Sequence, residues 1–467
     1  MKTLLLFFTG LSLPLFSGYV IVAFIEKKER VFSYGEKFLL SFALGTGTLT
    51  VYMLCLGIAG LSYSKGHFVP YLIAFILGCL CLFSQGRPVF FRGEASSNSE
   101  GGENKVPLTL AQKILTGVFL SIMAFKLVFV ASHVLYMPTC FDDAFTHWNL
   151  RAKIIFYEGK LSMDPESESF LGGSHKKHYP LYIQLLKAYV MTAIGRWSEP
   201  AAKLLSSLYG FLLLATVYVH LKGVRSRFVP FLAVYLLASV PFFLVHSASN
   251  YADLTISFFL TSSAIYLCKW FDSGKGPHFI ASACLLGVAN LTKNEGLVLY
   301  TPSILLTLFL FLVSRKEKIM ENFKKVALYM AAALAVDAVW IAIKWKFGLA
   351  FDQSDKGTAL EFHPEAFYHL YQKLFFEGEY DLFWLGLLLT IIAGWKILKE
   401  PPLRYNFIFL GAACAASLLP YILTHNFLFL QNEMTIHRSM LALIPFAVYS
   451  CGLVLDGLYT RWENEKL

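Results

Sequence analysis

Residues 113–135 read KILTGVFLSIMAFKLVFVASHVL, with Lys113, Lys126 and His133 the only ionisable side chains in the run. The apolar positions follow no amphipathic period, and the length suffices for a bilayer, which takes about 20 mainly apolar residues. Similar runs lie near 3–24, 37–60, 69–84, 200–221, 228–246, 251–270, 278–292, 296–314, 326–346, 381–397, 405–424 and 437–457. With 113–135 they make thirteen candidate spans, of which 69–84 and 278–292 are short. Residues 181–194 are apolar but shorter still, and predict an interfacial or re-entrant helix.

Composition agrees. The 467 residues are 56% hydrophobic and 15% charged, with a mean hydropathy of +0.57. Soluble domains carry about a quarter charged residues. Disordered, collagen-like and disulfide-scaffold classes are excluded, and the expected fold is an all-α polytopic membrane protein of about 13 transmembrane helices. Seven of the eight cysteines lie in or near spans, where a small buried hydrophobe is the ordinary role. Only Cys140 is clearly in a loop.

A net charge of +9 would fit nucleic acid, an anionic surface or an anionic substrate. No soluble basic module exists to carry nucleic acid, so that partner is excluded. The flank Glu26-Lys27-Lys28-Glu29-Arg30 is more basic than the start of the chain, which places the N-terminus outside. With alternating sides, the cytoplasmic segments hold 23 of the 40 Lys and Arg. Two long segments then fall outside, 136–199 and 344–380, and long loops above a bundle often carry function. Residues 94–103, EASSNSEGGE, form a polar cytoplasmic linker.

The first outer loop contains Thr139–Gly159, TCFDDAFTHWNLRAKIIFYEG. A helix from Asp143 would lay Phe145, Trp148, Ile155 and Phe156 on the membrane. The spacing of Asp143, His147 and Arg151 puts them within about 80° of one another on such a helix. Asp142 and Asp143 could serve simply as first-turn acids favoured by the helix dipole. Their concentration with His147, Trp148, Asn149, Arg151 and Lys153 above a bundle also suits a general base beside cations that stabilise a leaving phosphate. Downstream, His175-Lys176-Lys177-His178-Tyr179-Pro180 is a solvated basic turn or an anion site. Asp142, Asp143, His175 and His178 could alternatively hold a divalent metal.

Three polar junctions share that face: Ser249–Asp253, Thr292–Gly296 and Thr435–Arg438. Each alone could be a helix cap or a snorkelling charge; together they are more telling. Asp337 falls mid-span, where an ionised carboxylate costs roughly 2.5–3.5 kcal/mol. It should face the bundle interior, and Lys126 is the cation of matching depth.

These motifs resemble the GT-C superfamily of polytopic glycosyltransferases that use polyprenyl-phosphate sugars. The nearest likeness is to the bacterial group related to dolichyl-phosphate-mannose–protein mannosyltransferases and to the aminoarabinose transferases of lipid A. Asp143 through Lys153 resembles its acid followed by A-x-x-x-W-x-x-(K/R)-A-K. His175 through Leu181 resembles H-x-x-Y-P-L, with His178 in place of the usual acid. Tyr251-Ala252-Asp253, Leu291–Gly296 and Arg438 resemble further signatures.

The likeness covers residues 113–457. It leaves 1–112 as an N-terminal three-helix addition with its linker, and 458–467 as a cytoplasmic tail. It implies sugar transfer from a polyprenyl-phosphate donor to a glycan, lipid or protein hydroxyl, with inversion, at the outer face of a bacterial inner membrane. Asp143, or its neighbour Asp142, is then the expected base. Arg151, Lys293, Arg438 and His175 are expected to hold the donor phosphate. His147, Lys153, His178, Tyr179, Asp253 and Glu295 are expected to bind substrate. No cofactor is required, and no nucleotide-binding glycine motif is present. A transporter or lipid flippase, or a non-catalytic partner in envelope assembly, is the alternative; a transporter would show an internal repeat and broken spans.

Overall fold

All thirteen apolar runs form helices, in a computed structural model that describes residues 2–85, 105–173, 176–315, 319–351, 360–401, 403–432 and 435–465. The linker 94–103 lies outside the described residues. Helix α1 (Lys2–Ile25) leads into α2 (Tyr34–Ile58), which starts at a reciprocal cap: the Glu36 N–H donates to Ser33 Oγ, and the Ser33 N–H donates to Glu36 Oε2. α3 (Val69–Ser84) and α4 (Leu110–Tyr136) follow. The first outer loop contributes α5 (Asn149–Glu158) and α6 (Tyr182–Ile194).

The bundle then continues with α7 (Glu199–Leu221), α8 (Val229–Ser239), α9 (Pro241–Ala248), α10 (Asp253–Ser273) and α11 (Gly276–Thr292). Next come α12 (Thr301–Ser314), α13 (Ile319–Phe347), α14 (Ala366–Phe375) and α15 (Phe383–Ala393). The last four are α16 (Leu403–Leu423), α17 (Phe427–Asn432), α18 (Thr435–Leu441) and α19 (Ile444–Asn464). Among the described residues no strand forms beyond isolated bridges.

Nine of the thirteen runs give helices long and apolar enough to cross a membrane, and two more are bent pairs. The remaining two, α11 and α15, have 17 and 11 residues. The sharper bend, 71° between α8 and α9, has a local cause. Pro241 has no N–H and pushes Val240 into extended backbone. The Phe242 N–H, which would otherwise bond Ala238, donates to the Glu379 carbonyl at 3.0 Å. Lys126 Nζ takes up the freed Ala238 carbonyl at 2.9 Å. This corrects the expected pairing of Lys126 with Asp337, which instead faces α11 at Asn290.

The centre of the bundle is α10, of which 89% of the apolar window is buried, against 11% for α4. Large apolar side chains such as Phe83, Phe125 and Ile392 lie exposed on α3, α4 and α15. Surfaces of that kind belong in hydrocarbon, and the protein is an integral multi-pass membrane protein. α1 and α2 are packed into the same core as α6, α10 and α11. Their crossing requires glycine: a Cβ on Gly18 or Gly45 would stand 1.7 Å from the Ser41 or Pro14 carbonyl oxygen. The short helix α6 is enclosed by α1, α2, α5 and α7, and buries Lys187 with Nζ on Asn250 Oδ1 at 2.8 Å.

The segments assigned to one side by alternation do meet on one face. Lys269 pairs with Glu36, Lys275 with Glu29, Arg225 with Glu463 and Arg461 with Glu400. The first outer loop and the three polar junctions gather at the opposite end.

Candidate active site

Asp143 stands where the first outer loop turns into helix, and two cations reach it from distant parts of the chain. Lys176 Nζ lies 2.5 Å from Oδ1, and an Arg438 terminal nitrogen lies 2.5 Å from Oδ2. Partial burial would raise this carboxyl, but Arg438 and Lys176 outweigh it and hold the group below its ordinary value. Arg438 also donates from Nε to Asp253 Oδ2 at 3.2 Å, and its guanidinium sits 4.7 Å from the Tyr251 ring centre. One arginine thus bridges a buried aspartate and a half-buried one.

Beneath it, Asp253 is 1% exposed and collects three partners. Besides Arg438 these are Lys293 Nζ at 3.0 Å and His246 Nδ1 at 3.5 Å. Lys293 also reaches Glu295 at 3.0 Å. Burial would lower the ammonium, but Asp253 and Glu295 hold it above its usual range. A buried carboxylate surrounded this way keeps two cations charged and fixed in place.

These groups border a cleft of about 820 Å³. Asp142, Asp143, His147, Tyr179, Lys293, Glu295 and Arg438 line it. Val298 and Leu299, just before α12, and Leu419, Pro420, Leu423 and Phe429, from the end of α16 and from α17, add apolar lining. The second outer loop borders the cleft through Phe351 and Leu360. Its strand-like edge is pinned to the end of α16: the Glu361 N–H donates to the Leu423 carbonyl and the His363 N–H to the Ile422 carbonyl, both at 2.9 Å. The cleft therefore combines charged and apolar lining, which a phosphate with a hydrocarbon tail needs.

Most of the expected residues are brought together. Asp142 is exposed at the cleft, and His147 is buried against Trp148 and Tyr179, with ring centres 4.4 and 5.5 Å away. His178 adjoins the cleft through its backbone: its carbonyl accepts from the cleft-lining Asn294 at 3.3 Å and from Lys344 at 2.8 Å. His175 lies outside the described residues.

Four described residues of the expected set do not line the cleft: His178 and Asp253 lie next to residues that do, and Arg151 and Lys153 stand away from it. Arg151 is fully buried behind it, donating from Nε to the Leu171 carbonyl at 2.8 Å and from a terminal nitrogen to Tyr179 at 3.0 Å and Lys176 at 3.4 Å. Burial with no carboxylate beside it lowers this guanidinium. The expected shared face fails because 144–148 form a π turn, in which the Asn149 N–H bonds the Ala144 carbonyl five residues back. The extra residue rotates everything after it by about 100° relative to an α-helix. Lys153 points to solvent on the far side of α5.

Three contributors were missed: Lys176, Tyr251 and His246. Lys176 and Tyr251 lay within the quoted motifs, but nothing in the sequence set Lys176 apart from Lys177. Among the described residues, the metal set Asp142, Asp143 and His178 is not assembled; the three-ligand group close enough to share an ion is Glu377, Glu379 and His437.

The comparisons with known proteins match part of this chain by family and most of it by fold. Residues 178–343, about a third of the chain, match the family model described as dolichyl-phosphate-mannose-protein mannosyltransferase. That stretch contains Asp253 and Lys293 but neither Asp143 nor Arg438. Among solved structures, the chain is similar to ArnT from Cupriavidus metallidurans in the apo state, at 16% identity and a TM-score of 0.50, covering 73% of this chain and 60% of that one. The same protein bound to undecaprenyl phosphate is similar at 15% identity and a TM-score of 0.52, covering 74% and 61%. The chain thus spans about three-fifths of the length of the structures it matches, and shares their fold. No curated protein matches it in sequence.

Proposed function

We propose that this protein is a membrane glycosyltransferase that moves a sugar from a polyprenyl-phosphate donor to an acceptor hydroxyl at the outer face of the membrane, with inversion. The observation that carries the reading is Asp143, held between Lys176 and Arg438 in a cleft lined by both charged and apolar side chains. Similarity to a structure whose description names undecaprenyl phosphate supports a lipid-phosphate donor. The mannosyltransferase family match supports sugar transfer.

In this reading the donor tail lies along Leu419, Pro420 and Phe429, and its phosphate meets Lys176, Lys293 and Arg438. The incoming phosphate competes for the two cations that neutralise Asp143, and so frees its carboxylate as a base. The acceptor hydroxyl gives its proton to Asp143 and its oxygen bonds the anomeric carbon from the face opposite the phosphate. The carbon–phosphate-oxygen bond breaks, and the electron pair leaves with the polyprenyl phosphate, whose new charge the cations stabilise. The leaving group is a good one, so the step requires no added cofactor. Asp142, exposed beside Asp143, is placed to receive the acceptor. Arg151 and Lys153 take no part in donor binding; Arg151 holds the loop that presents Lys176 and Tyr179.

A lipid transporter or flippase is the second reading, and the two bent spans are what favour it. Incubating the purified protein with a panel of polyprenyl-phosphate sugars and water-soluble or lipid acceptors separates the readings. Release of polyprenyl phosphate together with a glycosylated acceptor is the expected result. Movement of an intact donor across vesicles without cleavage would establish the transporter, and no action on any donor would leave a non-catalytic partner.

A further inference from the structure

The second outer loop returns to the bundle at a polar cluster that the proposed chemistry does not use. His437, fully buried, directs Nε2 to Glu377 Oε2 at 3.1 Å and to Glu379 Oε2 at 3.9 Å. One ligand atom from each of the three lies within 4.8 Å of the others. Lys373 Nζ reaches Glu377 at 3.2 Å, while the buried Glu379 Oε2 has no hydrogen-bond partner. Two carboxylates against one ammonium leave the cluster negative. A buried carboxylate oxygen without a partner is costly, and an ion is one of the ordinary explanations for it.

The backbone frame around the cluster is fixed. The Tyr380 hydroxyl donates to the His437 carbonyl at 2.5 Å, and the Phe242 N–H holds the Glu379 carbonyl at the α8–α9 break. Two donors bound about 2.1 Å from one divalent ion in tetrahedral geometry stand about 3.4 Å apart. The 3.1 and 3.9 Å separations bracket that value. The partly exposed Glu377 gives an ion a route in from solvent.

We infer that Glu377, Glu379 and His437 bind a divalent transition-metal ion that pins the second outer loop to α18, the helix carrying Arg438. One imidazole nitrogen and two carboxylate oxygens suit zinc or manganese better than a large alkaline-earth ion. The ion does no chemistry on the sugar. It fixes the residue next to Arg438, and with it the reach of that guanidinium to Asp143.

The test uses the full chain in detergent, stripped with EDTA, loaded with zinc or manganese chloride, desalted and assayed for bound metal by mass spectrometry. The wild type should retain the ion stoichiometrically and melt at a higher temperature when loaded, since a ligand of the native state stabilises it by mass action. Glu379→Gln and Glu377→Gln should each lose both effects. Lys373→Met and Asp143→Asn should keep them, because neither residue is a ligand. A wild type that retains no metal overturns the proposal, as does equal retention by Glu379→Gln and Glu377→Gln. Loss of metal in Asp143→Asn would place the ion in the cleft and overturn it too. Metal content is read without any sugar transfer, so the outcome stands apart from the enzymatic reading.

Discussion

Helix α10 carries a carboxylate–cation–histidine cluster at each end, about 24 Å apart by helical rise. At one end Asp253 meets Lys293, Arg438 and His246. At the other, Lys269 meets Glu36 at 2.5 Å, with His220 at 3.6 Å from the same oxygen. Both carboxylates are buried, and both clusters join helices far apart in sequence. The difference lies in where the remaining hydrogen bonds go. Glu36 turns its second oxygen back to the Ser33 N–H and caps its own helix. Asp253 holds Arg438, and Arg438 extends to Asp143 in the cleft. A buried ion cluster by itself is architecture; it becomes machinery when one member reaches a carboxylate that a substrate can touch.

Neutralising one acid at each location tests that distinction most strongly. Asp143→Asn should reduce polyprenyl phosphate release by about 10²–10⁴-fold, the ordinary scale of a lost general base. Glu36→Gln should leave turnover per folded molecule unchanged. Rates measured on size-exclusion-purified monodisperse protein make the comparison. An Asp143→Asn enzyme at the wild-type rate would end the base assignment, and a Glu36→Gln enzyme slowed as much would erase the contrast between the two ends.

A second pair of variants asks what the two clusters share. Asp253→Asn leaves Lys293 and Arg438 with one fewer buried carboxylate, and Glu36→Gln does the same to Lys269. Breaking a buried pair from one side costs about 3–5 kcal/mol, so both should lower the melting temperature clearly. Only Asp253→Asn should also weaken donor binding, because it releases the lower anchor of Arg438. Equal donor affinities in the two variants would show that Arg438 needs no anchor.

The contrast also explains which parts of the molecule were legible in the sequence. The helices were, because runs such as 113–135 are too long and too apolar for anything but a span. The grouping of the basic segments was, because 25–37, 221–228 and 269–277 meet at one end of the bundle as alternating spans required. The partners across the cleft were not. Asp143 and Arg438 are 295 positions apart, and no spacing rule joins them. Local geometry misled where a tertiary feature intervened: the π turn at 144–148 took Arg151 off the expected face, and the break at Pro241 gave Lys126 a carbonyl in place of Asp337. Lys176 was visible as charge but not as a partner.

Arg151 gives a smaller and more selective effect. Its guanidinium holds the carbonyls of Leu171, Lys176 and Tyr179, so Arg151→Met should cost about 1–3 kcal/mol of stability through unsatisfied buried acceptors. At temperatures where the variant is folded, its KM for the donor should stay close to that of the wild type. A large rise in KM with no loss of stability would return Arg151 to the phosphate site.

The smallest effect is one of pH. Asp143 is held below its ordinary value by Arg438 and Lys176 against the opposing pull of burial. A carboxyl depressed in the folded state contributes stability that is fully present above its unfolded value, about 3.9. That contribution is lost as the pH falls through the lower folded value. Between pH 5 and 8 the gap in melting temperature between wild type and Asp143→Asn should therefore be constant. It should also be modest, since the pair is partly exposed and water screens it. Below pH 4 the gap should narrow as the wild-type carboxyl takes up its proton and comes to resemble the amide. Glu36→Gln supplies the matching curve for the closed end of α10. A gap for Asp143→Asn that stayed the same width from pH 7 to pH 3 would mean that the two cations do not act on this carboxyl as charges, and the competition by which a phosphate frees it would lose its physical basis.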